Sequence, residues 1–228
     1  MVDGNTLTDQ PYLALRMGAF NHTPMLMGVA GDEEGFFLAV AQEKVGYAAL
    51  TRDGYLAYAK ANSGAHLDEV LKIYPPGGMA SPSLDEMAVG QSIRGCAMRM
   101  LAGWLAPWEP TWTYSFDDRT VPNYLKPQPY PLGAYHTAEI LYLFPNFHGG
   151  LGAPHPLNAA QEALSDRMIA TWATFAKTGN PNPAGSKAWP VYDAKRDNVQ
   201  SLDIPGFRTT EGYGKRYSCA TFDKITGL

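Results

Sequence analysis

A histidine in this sequence has surroundings that suit proton transfer. His136 follows a glycine-containing turn that begins at Gly133, and it precedes an apolar run at residues 140–144. Imidazole has an unperturbed pKa of about 6.5, so it can take up and return a proton near neutral pH. A histidine at the edge of a core can also be a purely structural, hydrogen-bonded side chain. The residue types therefore indicate either a general base or a satisfied polar group, and the rest of the chain bears on the choice.

Three acidic residues follow an apolar run earlier in the chain. Residues 25–30 are apolar without alternation, which predicts a central parallel strand buried on both faces. Asp32, Glu33 and Glu34 come directly after this run, and functional groups of open α/β sheets lie at the carboxyl ends of strands. A carboxylate there can orient an imidazole through Nδ1–H. The same acids would also suit the start of a helix predicted from about Phe36, because helix N-termini favour negative charge.

The segments between the acids and the histidine are consistent with both lying at the same edge of a sheet. Phe36 and Phe37 lie beside the acids, where they would either wall an acyl or alcohol pocket or pack in the core. Residues 111–116 alternate aromatic and small polar side chains, which predicts a strand. A proline-rich loop at residues 117–132 then leads to His136. An acid after one strand and a histidine after a later one is the order of the α/β-hydrolase triad.

The remaining patterns predict mainly helices. Helical periodicity or capping residues mark four segments, at residues 11–20, 67–74, 81–106 and 158–178. Gly90, Gly95 and Gly103 indicate breaks or close packing within the third of these. Residues 199–204 suit a short strand, and residues 217–222 suit a terminal strand or a helix start.

Composition narrows the classes of function. The chain has 228 residues, of which 45% are hydrophobic and 18% charged, as expected of one large or two small folded domains. A net charge of −4 without a basic stripe argues against a nucleic-acid partner. No apolar run approaches the roughly 18 residues of a membrane span, and the first five residues lack signal-peptide features, so the compartment is not indicated. The two cysteines and scattered histidines have no metal-site spacing, so neither a metal nor a cofactor is predicted.

These motifs together resemble the type-B carboxylesterases, the cholinesterase-like branch of the α/β-hydrolases. The acid motif lies at residues 32–37 and the histidine motif runs from Gly133 through His136 to Glu139. Residues 2–4, 172–182 and 189–190 also resemble the C-terminal half of that family, so the resemblance covers about residues 2 to 222. It implies an α/β fold, the C-terminal part of an α/β-hydrolase with a mostly parallel central sheet flanked by helices. Residues 1–228 would form a single partial domain.

The resemblance also implies roles for individual residues. The acid of a Ser–Glu–His triad would be Glu34, the residue before the glycine, or Glu33 if the register differs by one position. His136 would be the general base. Glu139 would support the histidine loop as a buried second carboxylate, or lie in the first turn of a helix.

The cysteines allow two states. Some family members join cysteines in similar places, so Cys96 and Cys219 are either bonded to one another or free.

One departure from the family determines the prediction of function. The nucleophile elbow G-x-S-x-G does not occur in this sequence, since Ser92 has Gly90 before it but Arg94 after it, and Ser63 has Ala61 before it. Residues 147–152 imitate an oxyanion-hole motif but follow the histidine, so they are interpreted as a loop.

The chain is thus predicted to supply the acid and base of an ester hydrolase. It would act on a small ester and be inactive without an N-terminal partner half. The alternatives are a non-catalytic cholinesterase-like binding or adhesion module and a truncated reading frame.

Overall fold

One small sheet organises the described part of the chain, which in this computed structural model comprises residues 2–43, 48–144, 147 and 156–227. The strands of the described residues are Met25–Ala30 (β1), Thr111–Phe116 (β2), Val199–Leu202 (β3) and Arg208–Thr210 (β4). They pair in the order β1-β2-β3-β4, with β1, β2 and β3 parallel and β4 antiparallel to β3. The predicted strands at residues 25–30 and 111–116 are confirmed, β3 is shorter than predicted, and β4 was not predicted.

Helices flank this sheet. Those of the described residues are Pro11–Met17 (α1), Glu34–Glu43 (α2), Arg52–Ser63 (α3), Leu67–Ile73 (α4), Pro82–Leu105 (α5), Ile140–Leu143 (α6), Ala159–Thr178 (α7), Tyr213–Arg216 (α8) and Cys219–Thr226 (α9). A 3-10 turn, Gly64–His66, joins α3 to α4. The predictions of α1, α4, α5 and α7 are confirmed, whereas α3 was not predicted. The ambiguous C-terminal segment ends in helix α9.

Local capping explains where the two long helices begin and where α7 ends. Ser81 accepts a hydrogen bond from the Leu84 N–H at the start of α5, and a proline occupies the first turn. Asn158 and Gln161 form a reciprocal capping box at the start of α7. Gly179 ends α7 with φ = 71°, a left-handed conformation that glycine adopts without steric cost.

Strand β1 differs from its prediction in burial. It was expected to be buried on both faces, yet its first five residues are only partly buried and Ala30 alone is fully buried. Among the described strands it has one paired neighbour, β2. Burial on both faces needs covering elements on each side, and periodicity along one strand cannot report whether they are present.

Two apolar clusters hold the elements together, and helix α5 contributes to both. Met87 packs into a cluster with Phe116 and Leu202, on the side that carries the histidine loop. Val89 and Cys96 pack into a second cluster formed with α3, α4, α8 and α9. A disulfide between Cys96 and Cys219 ties α5 to α9, which decides between the two states that the sequence left open. Within the described residues, no helix combines the length and the apolarity needed to cross a bilayer.

Candidate active site

The side chains of His136 and Glu33 meet above the carboxyl ends of β1 and β2. The imidazole Nδ1 lies 2.6 Å from Oε2 of Glu33, although 103 residues separate the two in sequence. The Glu33 side chain is 10% exposed, whereas the His136 side chain is 41% exposed. The buried carboxylate can therefore fix the ring through Nδ1–H while the ring remains accessible to a reactant.

Helix α5 and strand β1 fix the position of Glu33. Its Oε1 accepts a hydrogen bond from the Ala30 N–H at 2.7 Å. Its own N–H donates to Oε1 of Gln91, also at 2.7 Å, and the Gln91 amide nitrogen donates to the Ala30 carbonyl at 3.0 Å. Gln91 is buried, so these bonds are shielded from competing water. The carboxylate is thus anchored at the end of β1 before it meets the imidazole.

Asp32 connects the acid turn to the histidine loop. Its N–H donates to the Ala134 carbonyl at 2.9 Å, and its Oδ2 accepts from the Ala134 N–H at 3.0 Å. Arg119 binds both carboxylate oxygens of Asp32, at 2.7 and 3.1 Å. Gly133 lies against this carboxylate with φ = 65°, and a Cβ there would lie 2.2 Å from Oδ2 of Asp32. The glycine of the histidine motif is therefore required by close packing as well as by its backbone conformation.

The residue after the histidine has an unusual backbone conformation. Thr137 has φ = 74°, in the left-handed region that β-branched residues rarely adopt. Its hydroxyl bonds to the His136 carbonyl and to the hydroxyl of Tyr124. The surrounding loop therefore holds this strained residue in place, a situation that is common at functional sites.

Glu34 has a different partner from the one that the sequence predicted. Its Oε2 accepts hydrogen bonds from Nε and Nη2 of Arg94, at 2.9 and 2.8 Å. The predicted contact between Glu34 and His136 is made instead by Glu33, the fallback residue. Helix α2 begins at Glu34, two residues earlier than expected. Because successive side chains on a helix diverge by about 100°, Glu34 turns toward α5 while Glu33 remains over the strand ends.

The surrounding charges favour the protonated imidazole. The hydrogen bond to Glu33 raises the pKa of His136, and partial burial opposes this. The charges of Glu33 and Glu139 raise the pKa further, and the charge of Arg94 lowers it. Burial raises the pKa of Glu139, whose Oε2 has no hydrogen-bond partner among the described residues. Glu139 is the N-cap residue of α6 and has helical φ and ψ, and its carbonyl accepts hydrogen bonds from the N–H groups of Tyr142 and Leu143. It therefore lies in the first turn of that helix, with its side chain close enough to the imidazole to influence its pKa.

An open pocket of about 340 Å³ lies in front of the histidine. His136, Glu33 and Phe37 line it together with Met27 of β1 and Leu101 of α5. The predicted wall residues take two different positions. Phe37 lines the pocket with its ring 4.8 Å from the imidazole, whereas Phe36 lies 5.5 Å from the imidazole and packs on the first apolar cluster.

Arg94 lies across the same pocket wall. Its guanidinium carbon is 4.0 Å from the centre of the Phe37 ring while its nitrogens bind Glu34. A guanidinium stacked on an aromatic face is favourable, and here it also holds Phe37 in place beside the histidine. The Glu34–Arg94 pair therefore supports the pocket wall.

Some features of the site had weak sequence signals or none. Gln91 and Arg94 lie in the middle of α5, and nothing local distinguishes them from other polar helix residues. The oxyanion-like motif at residues 147–152 lies, apart from Phe147, outside the described residues. Over the described ranges, no group of three or more histidine, cysteine, aspartate or glutamate residues could hold a metal ion.

The fold and the family follow from these observations and from comparison with known proteins. A mostly parallel sheet with an acid after one strand and a histidine after the next is part of an α/β-hydrolase fold. Residues 1–220 match the model of the carboxylesterase family, so the chain belongs to this family.

Curated relatives resemble nearly all of this chain. It is 28% identical to a cocaine esterase of Oryctolagus cuniculus over 88% of its length. It is 27% identical to an acylcarnitine hydrolase of Mus musculus over 90% of its length and 29% identical to a cholinesterase of Mus musculus over 89%. The matched regions make up 39%, 37% and 35% of those three proteins. The chain therefore spans well under half the length of these relatives.

Proposed function

We propose that this chain supplies the acid and the base of a carboxylic-ester hydrolase with a Ser–Glu–His triad, in which Glu33 orients His136. The observation that carries the proposal is the 2.6 Å contact between a buried, anchored carboxylate and Nδ1 of a half-exposed histidine at the mouth of a pocket. With Nδ1 engaged, Nε2 is the ring nitrogen left to accept a serine proton. Family membership agrees with this reaction class.

The proposed reaction is a two-step acyl transfer. A serine hydroxyl attacks the ester carbonyl while Nε2 of His136 takes its proton, which gives a tetrahedral intermediate and an imidazolium. The intermediate collapses, the C–O bond breaks, and the imidazolium protonates the leaving alkoxide. Water then attacks the acyl-serine, with His136 again as base, and the carboxylic acid is released. Glu33 stabilises the imidazolium in both steps.

The serine and the oxyanion donors would come from an N-terminal half of the same hydrolase. Strand β1 has an unpaired edge among the described strands, and its residues Met27, Gly28 and Val29 line the pocket before His136. A further parallel strand paired with that edge would bring its own carboxyl end next to the carboxyl end of β1. Residues 1–228 would thus form one partial α/β-hydrolase domain, with Glu139 as a buried carboxyl that supports the imidazolium.

Reconstitution tests this proposal. The chain is mixed with the serine-bearing N-terminal half of a carboxylesterase, and hydrolysis of a short-chain aryl ester is measured. His136→Ala and Glu33→Gln should each lower turnover by roughly 10³- to 10⁴-fold, as expected for triad members. Exposed Glu162→Gln is the control for mutation as such and should have no effect. The proposal would be wrong if Glu34→Gln were as damaging as Glu33→Gln, or if the chain alone hydrolysed the ester at full rate.

A non-catalytic binding or adhesion module predicts a different result. Such a module has no use for an acid–base pair, so the reconstituted protein would give no ester hydrolysis that His136→Ala or Glu33→Gln could lower. The anchored geometry of Glu33 favours the hydrolase.

A further inference from the structure

A second pocket borders Gln91 and shares no lining residue with the opening before His136. It has a volume of about 230 Å³, and Gln91 and Asp32 form part of its lining. These two residues anchor Glu33 and the histidine loop on their other sides. The pocket is therefore separate from the opening before His136 but shares a wall with the residues that position the imidazole.

The lining of this pocket includes several hydrogen-bond donors. The charged side chains among its described lining are Arg119, Arg216 and Asp32. Arg119 uses Nε and one terminal nitrogen on Asp32, which leaves three of its five N–H groups for another acceptor. Arg216 is exposed and packs its guanidinium carbon 5.2 Å from the Tyr217 ring, and no carboxylate of the described residues pairs with it.

A buried hydroxyl in the same wall lacks a partner. Tyr217 is 7% exposed and lines the pocket, yet its Oη makes no hydrogen bond of good geometry to any described residue. An unpartnered buried hydroxyl costs about 1–3 kcal/mol. The Gln91 side chain is a polar neighbour that lowers the pKa of this phenol, and a ligand acceptor that reached Oη would complete its hydrogen bonding. Asp117, whose charge raises the pKa of Tyr217, accepts hydrogen bonds from the hydroxyls of Ser115 and Ser201, and no hydrogen bond of good geometry joins it to Tyr217 Oη.

The same pocket also has apolar lining residues. Met79, Leu84, Met87 and Ala88 form this part of the lining. An inorganic anion would leave these side chains uncovered, whereas an organic acid would cover them with its hydrocarbon part. Planar guanidinium groups also match the two oxygens of a carboxylate.

We propose that this pocket binds a small carboxylic acid with an aromatic or short aliphatic body. The carboxylate accepts hydrogen bonds from Arg216, Arg119 and Tyr217 Oη, and the hydrocarbon part lies on the apolar wall. Because Gln91 and Asp32 lie between this pocket and the histidine, an occupied pocket also alters the surroundings of His136. Neither statement depends on the proposed hydrolase reaction.

Benzoate is a suitable probe, with benzamide as its uncharged counterpart of the same shape. Binding to the full chain is measured by calorimetry, and the His136 ring resonances are followed by NMR during the titration. Benzoate should bind at least tenfold more tightly than benzamide and inorganic phosphate, and it should shift the His136 resonances. Arg216→Gln should weaken binding at least tenfold. Lys215→Gln, which removes the adjacent exposed cation on α8, should leave binding unchanged.

Tyr217→Phe removes one oxygen atom and keeps the packing, so it provides a test even if Arg216→Gln fails to fold. It should weaken benzoate binding several-fold and leave benzamide binding unaffected. Equal binding of benzoate and benzamide, equal binding of phosphate, or unchanged affinity in both variants would overturn the proposal.

Discussion

Glu33 and Glu34 are neighbours in sequence, but their carboxylates bind different partners. Glu33 contacts Nδ1 of His136, and Glu34 binds the guanidinium of Arg94. The first contact orients a residue that can carry protons, and the second supports the Phe37 wall through the stacked guanidinium. Substitution of Glu33 and substitution of Glu34 should therefore have different effects on the protein.

The pKa of His136 should depend on Glu33 much more than on Glu34. The hydrogen bond to Glu33 is the largest cause that raises this pKa, so Glu33→Gln should lower it and Glu34→Gln should change it little. NMR titration of the histidine ring measures the effect. Since the folded-state pKa is raised, the pair contributes stability that is fully present below about pH 6.5 and is lost as pH rises through the folded value. Equal shifts in the two variants would contradict the assignment.

The Asp32–Arg119 pair should control the histidine loop. Asp32→Asn weakens the bonds to Arg119 and to the Ala134 N–H, so the loop should open more often. We expect faster amide hydrogen exchange in residues 133–139 and lower turnover in the reconstituted enzyme. Asp68→Asn changes an acid on α4, away from the loop, and should leave exchange there unaltered. An Asp32→Asn variant with unchanged exchange in this loop would show that other contacts hold it.

Gly90 should be intolerant of a methyl group because Glu34 packs against it. A Cβ at Gly90 would lie 2.3 Å from Cγ of Glu34, so Gly90→Ala must displace the glutamate or the helix. The gain in helix propensity is about 1 kcal/mol, and overpacking typically costs about 1–3 kcal/mol, so we expect net destabilisation. Gly103→Ala is the matched control on the same helix, because nothing lies within 4 Å of its added Cβ. Chemical denaturation should show a more stable Gly103→Ala variant and a less stable Gly90→Ala variant.

Glu86 should make the stability of the protein depend on pH. Burial, and then the charge of Glu34, raise the pKa of Glu86 to about 7. Tyr58 and Tyr130 are also influenced by its charge. The folded state holds the proton more tightly than the unfolded state, so this contribution to stability is full below the unfolded pKa of about 4.5 and is lost as pH rises to 7.

Glu86→Gln keeps the side chain neutral at every pH. The free energy of unfolding of Glu86→Gln minus that of the natural protein should therefore increase as the pH is raised from 5 to 8. Urea denaturation at several pH values measures this difference. A difference that is constant with pH would mean that Glu86 titrates normally.

The disulfide should stabilise the fold substantially. It joins residues 123 positions apart, and a crosslink that closes so long a loop restricts the unfolded chain strongly. Replacing both cysteines by serine should lower the free energy of unfolding by roughly 2–5 kcal/mol. Thermal unfolding of the double variant, compared with the natural protein under reducing and oxidising conditions, tests this. Reduction should affect only the natural protein.

The sequence by itself determined the local elements and the chemical types at the site. Apolar runs and alternation located β1 and β2, and capping residues located the start of α5 and the end of α7. These signals depend only on neighbours along the chain. They also placed His136 on a loop after one strand and a group of acids after another. The choice between Glu33 and Glu34 was beyond these signals, since two adjacent carboxylates have the same composition and nearly the same position.

Only the tertiary structure decided which acid meets the histidine and what holds each of them. Those choices depend on the start of α2 and on contacts between distant segments, such as Gln91 with Glu33 across 58 residues and Cys96 with Cys219 across 123. No local periodicity encodes them, because packing of separate elements sets the direction of each side chain. Gly90 was predicted as a break or a site of close packing, and it lies within the continuous helix α5 in close contact with the Glu34 side chain.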